Sequence, residues 1–127
     1  MTLYKGQRQR QFPPTIGTTS FVKLYILHIL IEKNCYGNRI KDEISERLNH
    51  KWTPSPGMIY PLLRELEEEG YINGWWEEPQ KRSIRRYRIT DEGIKHYKVI
   101  RRQAKESLDN SLYIVKTVLN DIYKEKY

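Results

Sequence analysis

The chain has 127 residues, 38% of them hydrophobic and 31% charged, with a formal net charge of +7 and a mean hydropathy of −0.81. That suits one domain with a small core, and the longest apolar run, LYILHILI at 24–31, falls far short of the roughly 18 residues of a membrane span. The single cysteine, Cys35, excludes an intramolecular disulfide, and His28, His50 and His96 are too scattered for a metal site.

In chain order, residues 1–17 carry Lys5, Arg8 and Arg10 and no acidic residue, then Pro13, Pro14 and Gly17. They are expected to form a flexible basic arm. The arm has no apolar segment of the kind a signal peptide needs, so the cytoplasm is the expected location. From Thr18 the pattern is helical. Thr18, Thr19 or Ser20 can cap a helix. The apolar positions Phe21, Leu24, Tyr25, Leu27, His28 and Ile31 are expected to form its wide, core-facing side.

NCYG at 34–37 breaks that helix. A second follows over NRIKDEISERLN, with Ile40, Ile44 and Leu48 as a narrow buried stripe. Residues 49–54 are a connector, because Pro54 disfavours helix at Thr53. A third helix opens at Ser55, a good N-cap, with Pro56 in the first position, where its missing N–H costs nothing. Ile59, Leu62, Leu63 and Leu66 line one face, and Gly70 suits a left-handed end. Pro61 is the anomaly: it removes the bond to the Gly57 carbonyl and crowds it, which a glycine there relieves.

YINGWW at 71–76 and SIRRYRIT at 83–90 flank a polar segment and read as a β-hairpin, with Tyr87 and Ile89 on one face and Arg86 and Arg88 on the other. Thr90 can cap a long last helix running through Lys124. Its seam includes Tyr97, Ala104, Leu108, Leu112, Val115 and Leu119, at steps that approximate a heptad. Such a helix is about 50 Å long, more than a small domain covers, so a partner helix is expected.

The fold class is therefore mainly α with a small β-hairpin: a winged helix-turn-helix domain at 18–90 and a C-terminal dimerisation helix at 91–127. In that arrangement the third helix is the reader of DNA. Its first turn offers Ser55, Pro56, Gly57 and Met58, followed by Tyr60 and Arg64. Unpaired N–H groups and the helix dipole suit phosphate there, Gly57 lets the backbone approach a groove, and Met58 suits a thymine methyl. Glu65, Glu67, Glu68 and Glu69 follow and repel phosphate, so the helix should dock N-terminus first. The bland alternative is a core helix with an ordinary cap. Lys81, Arg82 and Arg85 on the wing are candidate phosphate contacts, or else a solvated face. Trp75 and Trp76 face opposite ways, one packing under the wing and the other either packing or offering a plate to an aromatic ligand.

Three stretches carry a resemblance: Tyr36–Gly37, SPGMIYPLLRELEEEGYI at 55–72 and RRYRITDEG at 85–93. At these residues the chain resembles the PadR-like transcriptional regulators. The resemblance implies a homodimeric repressor that binds double-stranded DNA, in some members under the control of a small aromatic effector. It implies no cofactor and no enzymatic activity, and the sequence shows neither a nucleophile–base pair nor a Gly-rich phosphate loop. The wing tip departs from a basic one, with Glu77, Glu78 and Pro79 preceding Lys81 and Arg82. Two rivals remain at this point: a replication-terminator-like DNA-binding protein, and a winged-helix scaffold for protein partners.

Overall fold

The computed structural model describes residues 16–78 and 84–127. Its elements in chain order are α1 (Thr18–Glu32), β1 (Cys35–Tyr36), α2 (Gly37–Arg47), α3 (Pro56–Glu68), β2 (Ile72–Trp76), β3 (Arg85–Ile89) and α4 (Asp91–Tyr123). Among the described residues no helix is long and apolar enough to cross a membrane.

The first helix corrects the sequence reading. α1 buries Val22, Ile26, Leu27, Ile29 and Leu30, while Phe21, Leu24, Tyr25 and His28 are half-buried and Ile31 is 42% exposed. Of the expected face only Leu27 is fully buried. The reason is that FVKLYILHILI is apolar nearly all round, so periodicity cannot choose a side. Packing chooses it: the smaller aliphatic side chains face the core, and the aromatic ones form a strip beside it. Along that strip Tyr25 meets Phe21 edge-on at 5.5 Å, and Phe21 meets Trp52 at 6.1 Å.

The expected two-stranded hairpin is a three-stranded antiparallel sheet in the order β1-β3-β2. Within NCYG, read as a break, Cys35 pairs with Tyr87 and Tyr36 with Arg86. A two-residue strand has no periodicity to detect; it forms because β3 offers a free edge. The rest of the hairpin agrees with its sequence pattern. Ile72 pairs with Ile89 and Trp76 with Arg85, Tyr87 is buried, and Arg88 on the opposite face is exposed.

α2 buries Ile40 and Ile44 as expected, with Leu48 half-buried just beyond it. It also buries Glu43. One carboxylate oxygen accepts a hydrogen bond from Arg47 at 2.8 Å, and the other lies against Lys33 and Arg39 at 3.1 and 3.3 Å. Three cations around one carboxylate offset its desolvation. Arg47 also clamps Glu32 at 2.5 Å, tying the end of α1 to the end of α2.

α3 buries the four residues expected of it, Ile59, Leu62, Leu63 and Leu66. Each such burial is worth about 1.5–3 kcal/mol of transfer free energy. The helix stops at Gly70, whose φ of 84° belongs to the left-handed region, and the Tyr71 N–H closes back on the Leu66 carbonyl at 2.9 Å.

The start of α4 is fastened to that same turn. Thr90 donates its hydroxyl proton to the Gly70 carbonyl at 2.7 Å and accepts the Gly93 N–H at 3.0 Å, capping α4 as its position suggested. Gly93 passes so near the Tyr71 carbonyl that any Cβ would overlap it. The Thr-x-x-Gly spacing thus serves one junction: the threonine ties the knot, and the glycine lets the backbones cross.

The chain divides into two compact units, Thr18–Ile100 and one that contains Arg101–Tyr127. The first extends to Ile100 because Tyr97 and Ile100 pack against its core. Tyr97 also shares a 2.6 Å hydrogen bond with His28 of α1.

Candidate nucleic-acid interface

With Ile59, Leu62, Leu63 and Leu66 turned inward, helical geometry turns Gly57, Tyr60, Pro61 and Arg64 outward, and all four are exposed. Neither the Tyr60 hydroxyl nor the Arg64 guanidinium has a hydrogen-bond or ion-pair partner among the described residues. Two polar groups on one exposed face, with no internal work, are free to meet a ligand.

Ser55 starts the helix through its backbone: its carbonyl accepts the Met58 and Ile59 N–H groups at 3.0 and 2.9 Å. The expected side-chain cap is absent, and Ser55 is exposed. Around Gly57 a Cβ would find only the Ser55 hydroxyl, 3.9 Å away. Packing around Gly57 thus leaves room for a side chain there. Pro61, one turn on, has no N–H to give the Gly57 carbonyl its usual helical partner. Met58 is placed differently from its neighbours. It is half-buried and packs against the core cluster.

Beside this face lies an open groove of about 860 Å³ between the N-terminus of α2, α3 and the sheet. Tyr36, Asn38, Tyr60, Arg64 and Trp76 are among its lining residues. Gly37 also lines it, and a Cβ there would press on Tyr60, Leu63 and Tyr87 at 3.2–3.4 Å. Tyr36, Asn38 and Trp76 were not singled out from sequence as members of this site. The Tyr-Gly pair was the one available signal, and nothing in it reveals which later segment it faces.

The wing residues separate. Lys81 and Arg82 lie outside the described residues, as do Lys5, Arg8 and Arg10 of the arm. Arg85 is engaged within the fold: it donates to Glu67 at 2.7 Å and lies over the Trp76 ring at 5.0 Å. The Glu67 carboxylate raises the Arg85 pKa above its ordinary value. Arg86 stacks on Tyr36 at 4.7 Å and donates to its hydroxyl at 3.1 Å. Of the adjacent wing tryptophans, Trp75 is half-buried and Trp76 is 38% exposed.

Of the seam residues on α4, Tyr97 is occupied by His28 and Ala104 is buried. Leu108, Leu112 and Val115 are exposed, Leu112 to 53%, and Leu119 is half-buried.

Residues 26–99 match the model of the transcriptional regulator PadR-like family. Transcriptional regulator YqjI of Escherichia coli is 34% identical over 88 residues, covering 69% of this chain and 39% of that protein. A transcriptional regulator of Mycobacterium tuberculosis is 33% identical over 72 residues, covering 57% of this chain and 64% of the relative. The match thus spans less than two thirds of either relative. Among solved structures, a transcriptional regulator from Clostridium thermocellum superposes with a TM-score of 0.60 at 32% identity, covering 80% of this chain and 92% of that one. Bacillus subtilis PadR in complex with operator DNA gives a TM-score of 0.53 at 28% identity, over 61% of this chain and 45% of that one. A family match over more than half of its length, on the helices and sheet just described, shows that the chain belongs to the transcriptional regulator PadR-like family.

Proposed function

We propose that the chain is a cytoplasmic, sequence-specific DNA-binding repressor that works as a homodimer. The outward face of α3 carries this reading: Gly57, Tyr60 and Arg64 are exposed, and among the described residues the Tyr60 hydroxyl and the Arg64 guanidinium have no hydrogen-bond or ion-pair partner, on a helix whose opposite face is buried. That division of labour suits a helix laid into a major groove, with Arg64 able to pair with a guanine edge and Gly57 bringing the backbone close. The likeness to PadR of Bacillus subtilis, whose structure holds operator DNA, supports it.

The second half of the proposal rests on Leu108, Leu112 and Val115, an apolar stripe on α4 that is exposed in the single chain. A second copy of the same stripe is the natural cover. Two reading helices would then meet half-sites about 34 Å apart, or a multiple of that, on one face of the duplex. Bound over a promoter, the dimer would exclude polymerase.

The test is fluorescence anisotropy on DNA from upstream of the chain's own gene, against a scrambled duplex, across a salt series. Preference for the upstream DNA by ~10³-fold supports a specific regulator. Equal and purely salt-driven binding to both, repeated with duplexes selected from a random pool, removes the reading and leaves the protein scaffold.

A further inference from the structure

Glu67 sits in an acidic run that a charge count assigns to repulsion of DNA. It follows Arg64 by three residues and Tyr60 by seven, so it shares their side of α3. An unpaired carboxylate there would simply weaken phosphate binding. The structure gives it other work. One Glu67 oxygen accepts two hydrogen bonds, from the Gly74 N–H at 3.1 Å and from the Arg85 guanidinium at 2.7 Å. Gly74 belongs to β2 and Arg85 to β3, so one carboxylate on the reading helix holds both strands of the wing.

The parts around it are fitted to that bond. Among the described residues β2 is an edge strand, and the Gly74 N–H has no other acceptor there. A Cβ at Gly74 would meet the Arg85 Nε at 2.7 Å and the Tyr87 ring at 2.8 Å, so this glycine makes room for the arginine. Trp76 and Tyr87 flank the guanidinium at 5.0 and 5.7 Å and restrict its other rotamers. Glu67 and Arg85 are both only about a quarter to a third exposed, at 30% and 27%. A charge-assisted bond in that setting is stiffer than one in open solvent.

We propose that Glu67 is a positioning residue for DNA recognition: by holding the Gly74 amide and the Arg85 side chain together, it fixes the wing against α3 and sets the width of the groove between them. The inference rests on the DNA-binding reading given above. It reverses the sign expected of an acid on this face. Removing a repelling charge tightens binding, whereas removing the strut lets the wing drift and weakens it.

Two variants separate charge from position. Glu67→Gln deletes the charge but keeps an oxygen that accepts from Gly74 or Arg85; Glu67→Ala deletes both. Each is compared with wild type on a duplex selected from a randomised pool by the wild-type chain, and on a scrambled duplex. Circular dichroism fixes a temperature at which all three proteins are folded, and hydrogen exchange reads the Gly74 amide. The expected result for Glu67→Ala is about ten-fold weaker binding to the selected duplex, with unchanged or tighter binding to the scrambled one. Its Gly74 amide exchanges faster, while Glu67→Gln stays near wild type in both respects. Equal or tighter binding of Glu67→Ala to the selected duplex overturns the proposal, as does an unchanged Gly74 amide. A wild-type chain that selects no duplex removes the DNA-binding reading itself, and the role of Glu67 with it.

Discussion

Helices α3 and α4 each carry an apolar stripe at helical spacing, yet they end differently. The stripe of α3 disappears into its own chain, with Ile59, Leu63 and Leu66 fully buried. The stripe of α4 beyond Ile100 leaves Leu108, Leu112 and Val115 exposed. Local sequence does not distinguish the two, since both are amphipathic and both have a polar opposite face. What differs is whether other elements lie alongside among the described residues. α3 has α1, α2 and β2 packed against it; its buried side is a core, which frees its other side for a ligand. On α4 the apolar side itself is the surface left to be covered.

The contrast breaks first, and most severely, at the core of α3. Leu63→Ala should cost about 2–5 kcal/mol, because the surrounding side chains close only partly around the gap. Urea denaturation followed by circular dichroism measures it. Gly93→Ala comes next, at about 1–3 kcal/mol or somewhat more, since its Cβ overlaps the Tyr71 carbonyl and one backbone has to move. A melt unchanged from wild type would show that the junction is more pliable than its packing suggests.

On α4 the effect should fall on assembly instead. Leu112→Glu leaves the winged unit folded and makes the chain monomeric by light scattering. A dimer that persists would place the interface elsewhere. On the outer face of α3, Gly57→Glu adds a side chain where there is space for it, so the melting temperature should hold while affinity for a selected duplex falls by at least ten-fold. An unfolded variant, or one that still binds, contradicts the outward role of this turn.

The smallest effect is electrostatic. Arg47 holds the carboxyls of Glu32 and Glu43 below their ordinary value of 4.5, and Arg39 does the same for Glu46. Groups whose pKa is depressed by folding stabilise the native state above their unfolded pKa. That contribution should be complete at neutral pH and be lost as pH falls below about 4.5. Glu43→Gln should flatten the acid limb of a stability–pH curve, and a curve of unchanged shape would remove the buried carboxylate from the account.

Much of this fold is legible in the amino-acid pattern. The four buried residues of α3, the left-handed Gly70, the Thr90 cap and the alternation around Tyr87 all follow from local rules. Each is decided by backbone geometry or by a single period that one segment carries alone. The candidate site is legible less evenly. Gly57, Tyr60 and Arg64 do share the exposed face, but Met58 turns toward the core, and the Ser55 hydroxyl does not cap.

Sequence by itself determined where the helices begin and end to within about two residues, which side of α3 is apolar, and which family's motifs the chain carries. Those depend on neighbours within a turn or two, where propensity and periodicity act directly. Tertiary structure alone decided which side of α1 is the core, because a helix apolar on every side has no preference until other elements surround it. It alone added β1, whose two residues become a strand only beside β3. And it alone turned one acid of a repelling run into a clasp, because Glu67, Gly74 and Arg85 meet only when the helix and both strands are already in place.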